Sequence, residues 1–190
     1  MNENEYISNP ELLNELRKLH NQLRDYTKKK YTRINPFIED LFDWKEKGDF
    51  CGGKNVTIYD STTIVGEVMI GDNTWVGPFC SLDGTGGLEI GSHCTIAASS
   101  HIFTHDTVRN CLSGGIELYE YAPVRIGSCC FVGAQTTIIK GIDIGDHSLI
   151  SANSMINKSF PSYSIIAGNP GLLIGRVEIK YGKVILNYFK

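Results

Sequence analysis

Residues 124–156 read VRIGSCCFVGAQTTIIKGIDIGDHSLISANSMI, and an aliphatic residue recurs in them at every sixth position. The same register extends upstream to residue 58, with one step of eight residues and one long gap. Its positions are Ile58, Ile64, Ile70, Val76, Leu82, Ile90, Ile96, Ile102, Ile126, Val132, Ile138, Ile144, Ile150 and Ile156. A period of six matches neither a helix nor an ordinary strand. It is typical of a hexapeptide-repeat β-helix, in which three short strands with their corners close one triangular coil.

Glycines recur at fixed offsets from this register, and we expect them at tight corners where the backbone must be permissive. They are Gly66, Gly71, Gly77, Gly91, Gly127, Gly133 and Gly145.

Composition excludes several classes of protein. A net charge of −3 and a pI near 5.9 give no electrostatic case for a nucleic-acid partner. No apolar run approaches the roughly 18 residues of a membrane span, and the polar N-terminus does not resemble a signal peptide. The six cysteines lack zinc-site spacing and are expected to be reduced thiols. We therefore expect a cytoplasmic protein without an integral membrane segment.

The predicted fold is mainly β: a parallel β-helix with a helical N-terminal segment and a protruding loop. We place the helical segment at 1–55, the β-helix at 56–160 with an inserted loop at about 103–123, and a C-terminal strand or hairpin tail at 161–190. Two runs of apolar residues carry the helical spacing, and alternation on both sides of Gly182 predicts the hairpin. The helical runs are Leu12, Leu13, Leu16, Leu19 and Leu23, then Phe37, Ile38, Leu41 and Phe42.

Two departures from the repeat are expected to carry the chemistry, because interruptions of a solenoid form loops and loops carry function. The first is a two-residue excess between Leu82 and Ile90, and the second is the insertion after Ile102. The insertion opens with Thr104-His105-Asp106. A histidine beside a carboxylate at the root of a loop is placed for general base catalysis. The alternative is that His105 only satisfies backbone groups of the loop.

Three ordered stretches of this chain resemble the hexapeptide-repeat acetyltransferases, in particular those that modify sugars and polysaccharides and the maltose and galactoside acetyltransferases. They are residues 123–134, 138–145 and 161–170, and the resemblance covers roughly residues 56–176. It implies a left-handed β-helix and transfer of an acetyl group from acetyl-coenzyme A, with no metal ion. It also implies a homotrimer whose active sites lie between adjacent prisms.

The resemblance also implies roles in the transfer step. The family's base is a histidine shortly after the last inner aliphatic before the long loop, and His105 lies three residues beyond Ile102. His101 is the alternative base, although it precedes an inner aliphatic and should point off the prism. Asp106 could orient the His105 imidazole. The oxyanion donor would be the backbone N–H of Ala134, which follows Gly133.

On the coenzyme side, the resemblance places the coenzyme arm along the backbone at Ala134 and Ala152. Lys158 matches a lysine that the family uses near the coenzyme. Arg176 is either a phosphate ligand or a surface charge.

On the acceptor side, Thr85 occupies the position of the aspartate with which the family contacts the sugar. Asp83 lies nearby and could take over the role of that aspartate. Tyr119 and Tyr121 near the end of the loop could stack on a sugar ring or pack the loop.

Three hypotheses follow for the function. The first is O-acetylation of a sugar hydroxyl in a surface polysaccharide or its precursor, with a sugar or glycan as acceptor. The second is N-acetylation of an amino-sugar nucleotide. The third is a γ-type carbonic anhydrase or a non-catalytic β-helix. Zinc would need three converging histidines, and no third histidine is suitably placed beside His101 and His105. The long loop and the coils expected to face the coenzyme argue against a purely structural prism.

Overall fold

The computed structural model describes residues 9–32, 34, 36 and 44–189. The chain divides into two compact units, Met1–Asp43 and Trp44–Lys190. The short helices that precede the first coil, α2 (Trp44–Gly48) and a 3-10 turn at Asp49–Cys51, therefore belong to the second unit.

The first unit contains the helix α1 (Pro10–Tyr31). Its first turn is fixed by Pro10 at the start and by the side chain of Asn9, which accepts a hydrogen bond of 3.0 Å from the backbone N–H of Leu12. The helix ends at Thr32 in the left-handed conformation. The second helical pattern, over residues 37–42, lies outside the described residues.

The second unit is a parallel β-solenoid of about six turns, which confirms the prediction from the six-residue register. Most of its strands have only two residues. They are β1 (Thr57–Ile58), β2 (Thr63–Ile70), β3 (Trp75–Val76), β4 (Ser81–Ile90), β5 (Thr95–Ile96), β6 (His101–Ile102), β7 (His105–Asp106), β8 (Glu120–Tyr121), β9 (Val124–Ile126), β10 (Phe131–Val132), β11 (Thr137–Ile138), β12 (Asp143–Ile144), β13 (Leu149–Ile150), β14 (Met155–Ile156), β15 (Ser164–Ala167), β16 (Leu172–Lys180) and β17 (Lys183–Tyr188).

The coils stack into three faces, each a parallel ladder of strands. The first face contains β1, β3, β5, β10, β13 and β15. The second face contains the first halves of β2 and β4, then β6, β11 and β14. The third face contains the second halves of β2 and β4, then β9 and β12.

The fourteen aliphatic residues of the register point into the prism. Thirteen of them are buried, and Ile64 is partly buried. Burying such a side chain stabilises a fold by about 1.5–3 kcal/mol, so this column supplies the core.

Most of the recurrent glycines are required by the close stacking of neighbouring coils rather than by an unusual backbone angle. A Cβ on Gly133 would lie 2.3 Å from the backbone nitrogen of Ala152 in the next coil. The left-handed corner positions are occupied instead by other residues, such as Asn73 and His93 with φ near +57°. Asparagine and histidine tolerate this region better than most side chains.

In the structure, the two departures from the six-residue repeat lie at the positions where the sequence interrupts the register. The two-residue excess keeps β4 continuous from the second face into the third, with a shift in its pairing to β2 between Gly66 and Val68. The inserted loop leaves the prism after β6, forms the antiparallel pair β7–β8 and the helix α3 (Val108–Leu112), and returns at β9.

The chain ends in the antiparallel hairpin β16–β17, which extends the first face. Among the described helices, none is both long and apolar enough to span a membrane.

Candidate active site

His105 opens the loop at the corner between the second and third faces, which we name the histidine corner. It is the first residue of β7, where it pairs with Tyr121 of β8, and the two rings stack with centroids 5.8 Å apart. Its Nδ1 lies 2.6 Å from Oδ2 of Asp83 and 3.0 Å from the hydroxyl of Thr85. The imidazole is therefore fixed on one edge while about a third of its side chain stays exposed.

Asp83 is buried in the two-residue excess, directly under the root of the loop. Its Oδ2 accepts a hydrogen bond of 2.9 Å from the backbone N–H of Thr104, and its Oδ1 accepts bonds from the N–H and the hydroxyl of Thr85. Burial opposes ionisation of this carboxyl. The hydrogen bonds from Thr85, Thr104 and His105 outweigh burial and lower the pKa of Asp83 to about 2.

The ionised state of Asp83 decides the tautomer of His105. A carboxylate can only accept, so Nδ1 of the imidazole carries the proton that lies between them. The lone pair is then on Nε2, which has no hydrogen-bond partner among the residues the structure describes. This arrangement presents an oriented base toward the open side of the corner.

Asp106, which we expected to orient His105, is directed elsewhere. Alternate residues of a strand point to opposite sides, and the Asp106 carboxylate contacts Nζ of Lys140 at 2.7 Å. The same Nζ lies 2.9 Å from Glu120, which faces Asp106 across β7–β8. The hydrogen bond from Lys140 lowers the pKa of Asp106, and both carboxylates raise the pKa of Lys140. The carboxylate that contacts His105 is therefore Asp83, and Asp106 helps to hold the loop to the prism.

His101, the alternative base, lies on the second face away from this network. It is the outward residue beside Ile102, and its ring stacks on Phe103 with centroids 6.1 Å apart. No carboxylate contacts it within the described part of the chain.

The predicted acceptor residues divide into two groups. Asp83 and Thr85 both contact the imidazole, so their polar atoms are engaged with the base. Tyr119 and Tyr121 remain about half exposed on the loop, with Tyr121 against His105.

A second candidate feature is the alanine corner, which lies between the first and second faces and contains Ala98, Ala134 and Ala152. In the described residues, the backbone N–H groups of these three alanines have no acceptor. The corner between the third and first faces differs, because side chains satisfy such groups there: Asp146 accepts from the N–H of Ser128 at 2.7 Å. The alanine corner thus offers a row of free donors along the prism.

Ala98 was missed by the sequence analysis, although its signal was present. It follows Ile96 by two residues, as Ala134 and Ala152 follow their own inner aliphatics. Gly133 is buried beside Ala134, where its lack of a side chain lets the next coil approach.

The two predicted cationic residues lie farther along the chain. Lys158 is exposed, with its Nζ 5.5 Å from the centre of the Phe160 ring. Arg176 is exposed on β16 and donates to the carbonyl of Ser162 at 3.3 Å. The structure does not bring either residue to His105.

Within one chain, the histidine corner and the alanine corner bound opposite edges of the second face. Strands β2, β4, β6, β11 and β14 lie between them. One copy of the chain therefore presents a base on one edge and a row of backbone donors on the other. In the described residues, no group of three or more histidine, cysteine, aspartate or glutamate side chains is arranged to hold a metal ion.

Comparisons with known proteins agree with this architecture. The model of the family described as "Hexapeptide repeat of succinyl-transferase" matches residues 123–158. The chain is 32% identical over 131 residues to the putative colanic acid biosynthesis acetyltransferase WcaF of Escherichia coli K12, an alignment that covers 66% of this chain and 69% of that one. The chain belongs to the hexapeptide-repeat acetyltransferases.

Further similarities extend the same family. The galactoside O-acetyltransferase of E. coli K12 is 30% identical over 130 residues, which cover 68% of this chain and 52% of that protein. The hexapeptide-repeat acetyltransferase VCA0836 of Vibrio cholerae, solved with acetyl-coenzyme A, shares the fold with a TM-score of 0.51 and 19% identity over 90% of this chain and 92% of that one. As a hexapeptide-repeat acetyltransferase, this protein is an acyltransferase.

Proposed function

We propose that this hexapeptide-repeat acetyltransferase transfers an acetyl group from acetyl-coenzyme A to a sugar hydroxyl of a surface polysaccharide or its precursor. The observation that carries the proposal is the contact of 2.6 Å between buried Asp83 and Nδ1 of His105. A sugar hydroxyl does not ionise at neutral pH, so its attack on a thioester needs a positioned base. The names of the relatives, an acetyltransferase of colanic acid biosynthesis and a galactoside O-acetyltransferase, support a sugar acceptor.

The transfer proceeds by direct attack without an acyl-enzyme. Nε2 of His105 removes the proton as the hydroxyl oxygen bonds to the thioester carbon. The tetrahedral intermediate then collapses with cleavage of the carbon–sulfur bond. The departing thiolate takes the proton back from the imidazolium, so that free coenzyme A and an O-acetyl sugar leave.

The free N–H of Ala134 is the donor we assign to the oxyanion. A backbone N–H costs no reorganisation when negative charge develops on the carbonyl oxygen, so it stabilises the transition state more than the substrate. The pantetheine arm of acetyl-coenzyme A would lie along Ala134 and Ala152, with Lys158 and Arg176 as the candidate cations for the coenzyme. The six cysteines are free thiols, which favours the reducing cytoplasm as the place of the reaction.

We further propose a homotrimer with active sites between subunits. When three prisms turn their second faces to a common axis, the histidine corner of one copy meets the alanine corner of the next. The second face suits this position because its outward side chains include exposed Val65, Phe103 and Ile139. The third face carries instead the exposed ion pairs of Arg125 with Glu89 and Asp143.

The first experiment is acetyl-coenzyme A binding by calorimetry, followed by coenzyme release against a panel of sugars, amino sugars and their nucleotide forms. We expect binding, with release on hydroxyl sugars. Release on an amino-sugar nucleotide alone would replace O-acetylation by N-acetylation. The absence of coenzyme binding would contradict the proposal as a whole.

The shared site can be tested by mixing two inactive variants. His105→Ala removes the base, and Ala152→Trp places a large side chain on the coenzyme path at an exposed position. If each site combines the base of one subunit with the alanine corner of another, trimers formed from an equal mixture regain about a quarter of the sites. Activity of the mixture is compared with that of each variant refolded alone. Trimers of mixed composition that stay inactive would contradict the shared site.

A further inference from the structure

The loop contains a shallow pocket beside the base. It has a volume of about 460 Å³ and is lined by Asn110, Leu118, Tyr119 and Tyr121. This volume lies in the range of small-molecule sites, about 300–1,000 Å³. Since Tyr121 also stacks on the His105 imidazole, a group bound in the pocket lies next to the catalytic base.

The polar atoms of the pocket are arranged for an uncharged ligand. The Nδ2 of Asn110 is fixed by the Glu117 carbonyl at 2.6 Å, so its Oδ1 is held in place. In the described residues this Oδ1 and the hydroxyls of Tyr119 and Tyr121 have no partner. The two tyrosines offer aromatic rings and phenol hydroxyls, and Asn110 offers an amide. Together these groups suit a pyranose, which has apolar C–H faces and a rim of hydroxyls.

The charges around the loop disfavour an anion. None of the described residues that line the pocket is charged, and carboxylates bind both Arg109 of the loop and Lys140 of the adjoining coil. Arg109 lies 2.7 Å from Glu120 and 3.5 Å from Glu117, and Lys140 bridges Glu120 and Asp106. Three carboxylates against two cations leave a surplus of negative charge, which repels a diphosphate.

We infer that the pocket of Asn110, Leu118, Tyr119 and Tyr121 is the acceptor subsite, and that it binds an uncharged pyranose rather than a nucleotide diphosphate. This inference rests on the proposed function and names the substrate class of its acceptor side. Specificity against a nucleotide sugar arises here from an unfavourable interaction with its phosphates as well as from contacts to the ring.

The test measures binding by saturation-transfer NMR, which needs no turnover. A panel of neutral methyl glycosides is compared with the same sugars as nucleoside diphosphate esters. We expect the neutral forms to bind at least about tenfold more tightly, and Tyr119→Ala to weaken them about fivefold to tenfold while Tyr119→Phe keeps most of the affinity.

A charge-addition pair sharpens the test. Leu118→Lys places a cation at the pocket, and Ile116→Lys places one at an equally exposed position outside it. We expect Leu118→Lys alone to improve binding of the nucleotide form. Tighter binding of nucleotide sugars by the wild type, or unchanged affinity in Tyr119→Ala, would overturn the inference. Coenzyme release is followed separately, so its failure with binding intact would contradict the proposed function and leave the subsite standing.

Discussion

Replacement of His105 by alanine is expected to lower kcat by about 10²–10⁴-fold, the usual contribution of a general base. The imidazole is the group that Asp83 holds with its lone pair on Nε2, and the other described histidines of the solenoid, His93, His101 and His147, contact no carboxylate among the described residues. The affinity for acetyl-coenzyme A should change little, because the proposed coenzyme path lies on the alanine corner. Steady-state kinetics and calorimetry measure the two quantities independently.

His101→Ala is the matched control, since it removes a histidine four residues away that stacks on Phe103. We expect it to retain most of the turnover. If His101→Ala were inactive while His105→Ala kept its activity, the base would be misassigned.

Asp83→Asn is expected to have an effect of similar size, about 10²–10⁴-fold on kcat. The amide has the shape of the carboxylate but brings an NH₂ group that must donate. Donation to Nδ1 of His105 would move the imidazole proton to Nε2, so the base would carry a proton where it needs a lone pair.

Asp106→Asn is the control for this change, because it weakens the contact with Lys140 and leaves the pair of Asp83 and His105 in place. Its effect on kcat should be far smaller. A larger loss in Asp106→Asn than in Asp83→Asn would return the orienting role to Asp106.

The same Asp83→Asn variant should also show a changed acid dependence of stability. The pKa of Asp83 in the folded protein is about 2, below its ordinary 3.8, so this carboxylate stabilises the fold above about pH 4. The contribution, roughly 2 kcal/mol, is lost as pH falls from about 4 to 2. Denaturant unfolding at fixed chain concentration should show the gap between wild type and variant closing over this range. A gap independent of pH would contradict the ionised state of Asp83.

The fold could be predicted because one repeated constraint determines it. Every inner position demands an aliphatic side chain, and a period of six admits few architectures. The corner glycines were assigned to the correct places for a partly wrong reason. Their spacing reflects stacking distances between coils, as at Gly133, while the left-handed angles fall on residues such as Asn73. Spacing in a sequence does not distinguish these two causes.

The partner of the base was harder to predict, since it depends on a contact between coils. Asp106 is the nearest carboxylate in sequence, but the strand directs it away from His105. Asp83 reaches the imidazole because β4 continues around its corner and buries the carboxylate under Thr104. That geometry depends on how two extra residues are absorbed, which the register alone does not specify.

Hydrogen bonds join the two ends of the inserted loop to each other and to the prism. The N–H of Ala122 donates to the carbonyl of Thr104 at 2.9 Å, and the Thr104 hydroxyl accepts from the N–H of Gly86 at 2.8 Å. With its ends closed in this way, the segment between them can change length at a small entropic cost and without disturbing the coils. Replacement of the residues between β7 and β8, which leaves His105 in place, could therefore give a descendant or a designed protein a new acceptor while the proposed base is kept.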